Sequence, residues 1–231
     1  MAHLVIALDY NNARDAERLM DVLDPTTCCL KVGGELFTTL GPNFVRSLVK
    51  KNFKVFLDLK FHDIPNTVSG SVKAAADLGV WMMTVHAFGG EAMLCAARAA
   101  LDDFGNTRPL LVAVTILTSM TEIDLLKMGV THSMESQVIH LARLALNSRL
   151  DGVVCSGREL SLIKTLASER FMSVVPGVRL AQDQHDDQAR VVDVRQALHW
   201  GADCLVMGRS ITRSKDPLKT IQEILNIMAT R

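Results

Sequence analysis

Eight short runs rich in Val, Ile and Leu alternate with longer stretches of helical character along this 231-residue chain, and that alternation constrains the fold most. The runs are LVIAL, CCLKV, KVFLDLK, WMMTVHA, LLVAVTIL, GVVCS, MSVVP and DCLVMG. Most are continuously apolar rather than alternating, as strands buried on both faces of a parallel sheet must be. Between and after them lie NARDAERLMDVL, NFVRSLVKKN, TVSGSVKAAADLG and EAMLCAARAALDDF, then SMESQVIHLARLALN, RELSLIKTLASE, DVRQALHWGA and DPLKTIQEILNIMA. Pro42, Pro65 and Pro217 fall near helix starts, and Gly79 and Gly201 follow helix ends. The pattern predicts an α/β fold, a (β/α)8 TIM barrel, as one domain over residues 1–231. An open doubly wound sheet is the alternative, but the first β/α turn, LDYNNARDAE, lacks G-x-G-x-x-G. No linker, low-complexity tract or charge block marks a second domain.

Composition narrows the class of function. Lys+Arg and Asp+Glu both number 25, for a formal charge of zero. That balance argues against bulk electrostatic binding to nucleic acid or an acidic membrane, though not against a small basic pocket. MAHLVIALDY enters an apolar run without a basic leader, so no signal peptide is expected. No apolar segment reaches about 18 residues, the length that suggests a membrane span. The five cysteines, Cys28, Cys29, Cys95, Cys155 and Cys204, form no C-x-x-C pair and sit in apolar contexts. They read as small core residues in a reducing compartment, and the expected location is cytoplasmic.

The stretch FLDLKFHDIPNT, residues 56–67, breaks the apolar pattern. Asp58 and Lys60 lie two residues apart inside a predicted strand, and Asp63 follows on the loop. Burying charge is costly unless it is paired. Residues i and i+2 share one face of a strand, so Asp58 and Lys60 should face the barrel axis with Lys54 and Phe56. Val55, Leu57 and Leu59 then face the helices. Lys31 ends the preceding strand, which should pair alongside. Chemistry in such barrels gathers at the C-terminal strand ends. Those positions carry Asp9, Lys31, Asp58 with Lys60, His86, Thr118, Arg179 and Arg209. A single ion pair would explain one lysine and one aspartate. An alternating array does more: nearby carboxylates favour the charged form of a lysine, and a fixed ammonium can donate a proton to a carbanion formed beside it. Asp58 could confront an anionic group that must leave.

A second constellation has the character of a phosphate grip. VMGRS ends the eighth run, where Gly208 lets backbone N–H groups approach an anion and Arg209 offers a bidentate fork. Loops after strands seven and eight frequently hold phosphate in barrels. Arg179 and Gln188 lie on the first of these, in the polar segment RLAQDQHDDQ, which reads either as a lid or as a solvated loop. Thr118 and Ser119 could hydrogen-bond a base edge or cap the following segment. His62 reads more readily as a packing residue than as a base, and His86 is open between structural and functional roles. No histidine spacing suggests zinc.

With these residues in place, LDLKFHDIPNTV closely resembles the signature of the orotidine 5′-monophosphate decarboxylase family. VIALDY, LKVGGELFTTLGP, TVHAFGGEAM, TILTSM, VVPGVR and DCLVMGRSIT follow in that family's order over nearly the whole chain. The resemblance implies decarboxylation of orotidine 5′-monophosphate to UMP with no metal or organic cofactor. It implies Lys60 as proton donor to C6, Asp58 facing the substrate carboxylate, and Lys31 contacting ribose and holding Asp58. Asp9 would bind ribose hydroxyls, and Thr118 and Ser119 would lie by the pyrimidine. Arg179, Gln188, Gly208 and Arg209 would hold the phosphate. Asp63 and Thr67 would reach the neighbouring subunit's site, implying a homodimer. One departure is visible: Asp186 and Asp187 precede Gln188 where the family often has Gly-Asp. The D-x-K-x-x-D element is shared with sugar-phosphate decarboxylases, so the nearest competing reading is a Mg²⁺-dependent enzyme forming an enediolate. A non-catalytic nucleotide-binding protein would be expected to lack Asp58 or Lys60.

Overall fold

The computed structural model describes residues 2–166, 171–180 and 191–230. Eight parallel strands close into a barrel in the order one, eight, seven, six, five, four, three, two. They are His3–Ala7, Cys29–Gly33, Val55–Phe61, Met82–His86, Leu110–Val114, Gly152–Val154, Met172–Pro176 and Cys204–Met207. All eight predicted strands are present, and the predicted barrel is the observed one.

The strand period of two divides the core into two layers. Val5, Ala7, Cys29, Phe56, Met82, Val112, Val174, Cys204 and Val206 fill the barrel interior. Their neighbours Leu4, Ile6, Leu30, Val55, Leu57 and Met83 face outward and meet the helices. Phe56 is almost fully buried at 1% exposure, so it contributes about 1.5–3 kcal/mol by leaving water. Lys54 keeps to the expected inward set at the open N-terminal end of the barrel, beside Trp81, which packs on the interior cluster. It precedes the third strand, is exposed, and holds its ammonium 5.6 Å from the Trp81 ring centroid.

Helices Ala13–Met20, Pro65–Ala76, Gly90–Ala99, Met134–Asn147, Leu160–Leu166, Val194–His199 and Pro217–Ala229 lie close to the predicted positions. Pro65 and Pro217 begin their helices, where a missing N–H leaves no bond unmade. The second helical segment starts earlier than expected, at Gly34, and runs to Lys50. It bends at Gly41, whose φ of 69° suits glycine, and Pro42 restarts it. Among the described residues, two short α-helices were not expected. Glu122–Lys127 is opened by a reciprocal cap between Thr121 and Asp124, so capping falls to Thr121 rather than to Thr118 or Ser119. Arg209–Thr212 follows Gly208 directly. A two-residue pairing, Val178–Arg179 with Val192–Asp193, adds a small sheet beyond the seventh strand. Cys28, Cys29, Cys155 and Cys204 are buried as expected, but Cys95 is exposed on Gly90–Ala99. Burial pushes the Cys28 and Cys29 thiols up to about 12 and about 11, which makes them poor nucleophiles. Among the described residues, no helix is long and apolar enough to cross a membrane.

Candidate active site

A cleft of about 220 Å³ opens at the C-terminal end of the barrel. The first three strands deliver Asp9, Lys31, Asp58 and Lys60 to its wall, and the later strands and loops bring Thr118, Arg179, Gly208 and Arg209. Eight of the sequence-predicted site residues thus line one cavity. Phe56, Val154, Val174 and Val206 form its apolar floor.

Asp58 is the hub of the charged wall. Lys60 Nζ donates to Asp58 Oδ2 at 2.9 Å, and Lys31 Nζ lies 3.7 Å from the same oxygen. Lys31 also donates to Asp9 Oδ1 at 3.4 Å, so the four side chains alternate in sign. The second carboxylate oxygen of Asp58 accepts from the Thr84 hydroxyl at 3.0 Å. Burial alone would raise the Asp58 pKa. Lys31 and then Lys60, with hydrogen bonds from Lys60 and Thr84, overcome that effect and hold it below its ordinary value. The side chains of Asp58 and Lys31 are 14% and 13% exposed, whereas Lys60 is 38% exposed. Lys60 therefore presents its ammonium to the cleft from a rigid carboxylate anchor.

The third strand does not stay regular here. It advances from Leu57 to Phe61 while its neighbour advances only from Met83 to Val85. Lys60 occupies the left-handed region at φ 51°, which costs a non-glycine residue roughly 1–3 kcal/mol. Sequence alternation alone could not show this bulge. Gly208 lies beside Asp9: a Cβ there would stand 3.0 Å from Asp9 Oδ2, so the carboxylate would have to give by a few tenths of an ångström.

Other predicted residues lie elsewhere. Ser119, Asp63 and Thr67 are exposed and lie outside the cleft lining. Asp63 accepts from the Ile64 N–H at 2.6 Å, and Ile64 is 66% exposed beside it. Asp63 lines a separate shallow groove with His62, Ile64, Pro65, Phe88 and Gly89. Gln188, Asp186 and Asp187 lie outside the described residues. Thr84 joins the charged wall without a place among the expected residues; its one mark in the sequence is a polar residue at an inward position of an otherwise apolar strand. Among the described residues, no three His, Cys, Asp or Glu side chains converge to hold a metal ion.

His86 caps the short turn that follows its strand. Its Nδ1 accepts from the Phe88 N–H at 3.4 Å, and its ring stacks on His62 at 5.4 Å between centroids. Burial, then the neighbouring His62 and Lys60, lowers its pKa from 6.5 to about 4. The unfolded chain therefore binds a proton at His86 in that interval and the folded chain does not. Stability is expected to fall as the pH drops from 6.5 toward about 4, and His86→Gln should flatten part of that slope. Urea unfolding of both proteins across the window measures the difference. An unchanged slope would contradict the assignment.

A family model described as Orotidine 5'-phosphate decarboxylase / HUMPS family matches residues 2–224. A curated protein from Legionella pneumophila (strain Corby), named Orotidine 5'-phosphate decarboxylase, is 51% identical over 222 residues. The match spans 96% of this chain and 97% of that protein. A Vibrio cholerae serotype O1 (strain ATCC 39541 / Classical Ogawa 395 / O395) protein of the same name is 52% identical over 221 residues, 96% of each chain. The crystal structure of Orotidine 5'-phosphate decarboxylase from Lactobacillus acidophilus superimposes with a TM-score of 0.88 at 36% identity. That similarity covers 98% of this chain and 99% of the other.

Proposed function

Because the chain belongs to the orotidine 5′-phosphate decarboxylase / HUMPS family, we propose that its strand-end charges convert orotidine 5′-monophosphate to UMP and CO₂ in de novo pyrimidine synthesis. The observation that carries the proposal is the Lys31–Asp58–Lys60 array, with Lys60 Nζ 2.9 Å from Asp58 and partly open to the cleft. In the reaction the bond from C6 to the carboxylate breaks, and its electron pair stays on C6 as a vinyl carbanion. No conjugated electron sink is available to that pair. The Lys60 ammonium stabilises it electrostatically and then transfers a proton to C6, regaining one from water afterwards. Asp58 confronts the departing carboxylate and fixes the ammonium. Lys31 holds Asp58 and, with Asp9, contacts ribose.

The other end of the cleft supplies the grip. Arg209, Gly208 and Arg179 hold the phosphate, joined by Gln188, while Thr118 and Ser119 lie by the pyrimidine. Binding energy from a phosphate remote from C6 can support the chemical step. The reaction as written uses neither a metal nor an organic cofactor, and the enzyme acts in the cytoplasm as one domain without nucleic acid or membrane. To test the reading, substrate labelled with ¹³C in its carboxylate is incubated with the protein. Release of labelled CO₂ in step with UMP is expected. A protein that binds UMP yet leaves the substrate intact would overturn it.

The exposed positions of Asp63 and Thr67, away from the cleft of their own chain, support a homodimer in which they complete the partner's site. Lys60→Ala and Asp63→Ala proteins should each be inactive alone. Mixed and allowed to exchange subunits, they should recover about a quarter of wild-type turnover, because half the dimers then carry one intact site. No recovery despite verified exchange would place Asp63 in its own subunit's site or outside any site.

A further inference from the structure

Thr84 is fully buried on the fourth strand, and its single hydroxyl joins two parts of the charged wall. The backbone N–H of Lys60 donates to Thr84 Oγ1 at 2.8 Å, and Thr84 Oγ1 donates to Asp58 Oδ1 at 3.0 Å. The direction of both bonds is fixed by chemistry. An amide N–H can only donate and a carboxylate can only accept, so the one hydroxyl proton must point to Asp58. Asp58, Leu59 and Lys60 bulge opposite Thr84, between the register pairs Leu57–Met83 and Phe61–Val85. An ordinary ladder would give the Lys60 N–H a main-chain carbonyl. In this bulge the Thr84 hydroxyl takes that place, at a residue whose φ of 51° needs support from its surroundings.

We infer that Thr84 is a positioning residue for decarboxylation, tying the bulged backbone of Lys60 to the Asp58 carboxylate so that ammonium and carboxylate keep one mutual geometry. This inference rests on the roles proposed above for Lys60 and Asp58. Lys60 Nζ binds one oxygen of Asp58 and Thr84 binds the other, so the carboxylate cannot rotate without breaking a bond at each end. Bulges beside active sites commonly re-aim a side chain, and here the polar residue opposite the bulge locks its new direction. Thr84 does not line the cleft and is not a catalytic residue.

Thr84→Val keeps the shape and removes both hydrogen bonds, whereas Thr84→Ser keeps the hydroxyl and removes a methyl group. Thr84→Val should lower kcat about 10- to 100-fold with little change in KM, the size expected when a reacting group loses its alignment. The acid limb of its rate profile should move to higher pH, because Asp58 loses a hydrogen bond to its charged form. Thr84→Ser should return kcat to within about threefold of wild type, since it retains the same charge-directed bond. A Thr84→Val enzyme with wild-type kcat and acid limb would overturn the inference. So would a serine variant as impaired as the valine one, because the methyl group rather than the hydroxyl would then matter. A readout that needs no substrate separates this inference from the proposed function. In ¹³C NMR the Asp58 carboxyl of Thr84→Val should titrate at higher pH than in wild type. That shift in Thr84→Val, together with a wild-type protein unable to decarboxylate the substrate, would support the hold on Asp58 and sink the functional reading. An unshifted Asp58 would overturn the hold itself.

Discussion

Lys60→Ala is expected to lower turnover of orotidine 5′-monophosphate by on the order of 10⁴-fold or more while UMP binding changes little. Two losses combine in that figure. The variant has no cation beside C6 when the carbon–carbon bond breaks, and no proton donor once it has broken. Neither function contributes to holding the product, whose phosphate is assigned to Arg179, Gly208 and Arg209 on the other side of the cleft. The expectation is therefore a collapse of kcat with a nearly constant Kd for UMP, read by turnover assays and calorimetry on one preparation. Turnover near wild type would remove Lys60 from the mechanism. A parallel loss of UMP binding would show that the side chain organises the whole cleft rather than the reaction alone.

Asp58→Asn should act differently, because it removes the hub and leaves both lysines. With Asp58 absent, Lys31 retains Asp9 at 3.4 Å, but Lys60 loses its ion-pair partner. A drop in kcat of about 10²- to 10³-fold is expected from the misplaced ammonium. The stability cost should fall at or below the low end of the roughly 3–5 kcal/mol seen for broken buried pairs, because Lys60 is partly open to solvent. Two further readouts identify the carboxylate. If Asp58 opposes the substrate carboxylate, its neutral replacement should bind orotidine 5′-monophosphate more tightly relative to UMP than wild type does. The native pKa of Asp58 lies below 3.8, so its stabilising contribution is complete above that value and is lost as pH falls through the lower native one. Acid unfolding of Asp58→Asn should lack this component. Equal acid profiles, with unchanged relative affinities, would contradict the role assigned to Asp58.

The barrel was readable because parallel strands buried on both faces write a distinctive pattern, and MMTVH or CLVM needs little context. The charges of DLK were readable for the opposite reason: buried charge in such a run stands out. What the sequence could not show depends on contacts between distant segments. The bulge at Lys60 arises from pairing with the fourth strand, and Thr84 matters only because that bulge lies opposite it. Thr84 carries only a weak signal of its own, as a polar residue at an inward position of an apolar strand. The early start of the second helical segment was hidden by Gly33, Gly34, Gly41 and Pro42, which ordinarily mark loops. Cys95 looked like a core residue among apolar neighbours, yet helix geometry turns its position outward. Asp63 and Ser119 belong to the site by their places beside the charged strand and after the fifth run, and Thr67 by resemblance, but one chain alone does not bring them into its cleft.

The central claim is that this cluster performs the decarboxylation with the chain's own side chains. The direct test follows ultraviolet absorbance of orotidine 5′-monophosphate mixed with purified protein in EDTA. Rapid, complete conversion to UMP is the result expected. No conversion by folded, UMP-binding protein, with activity on a sugar phosphate appearing only when Mg²⁺ is added, would contradict it.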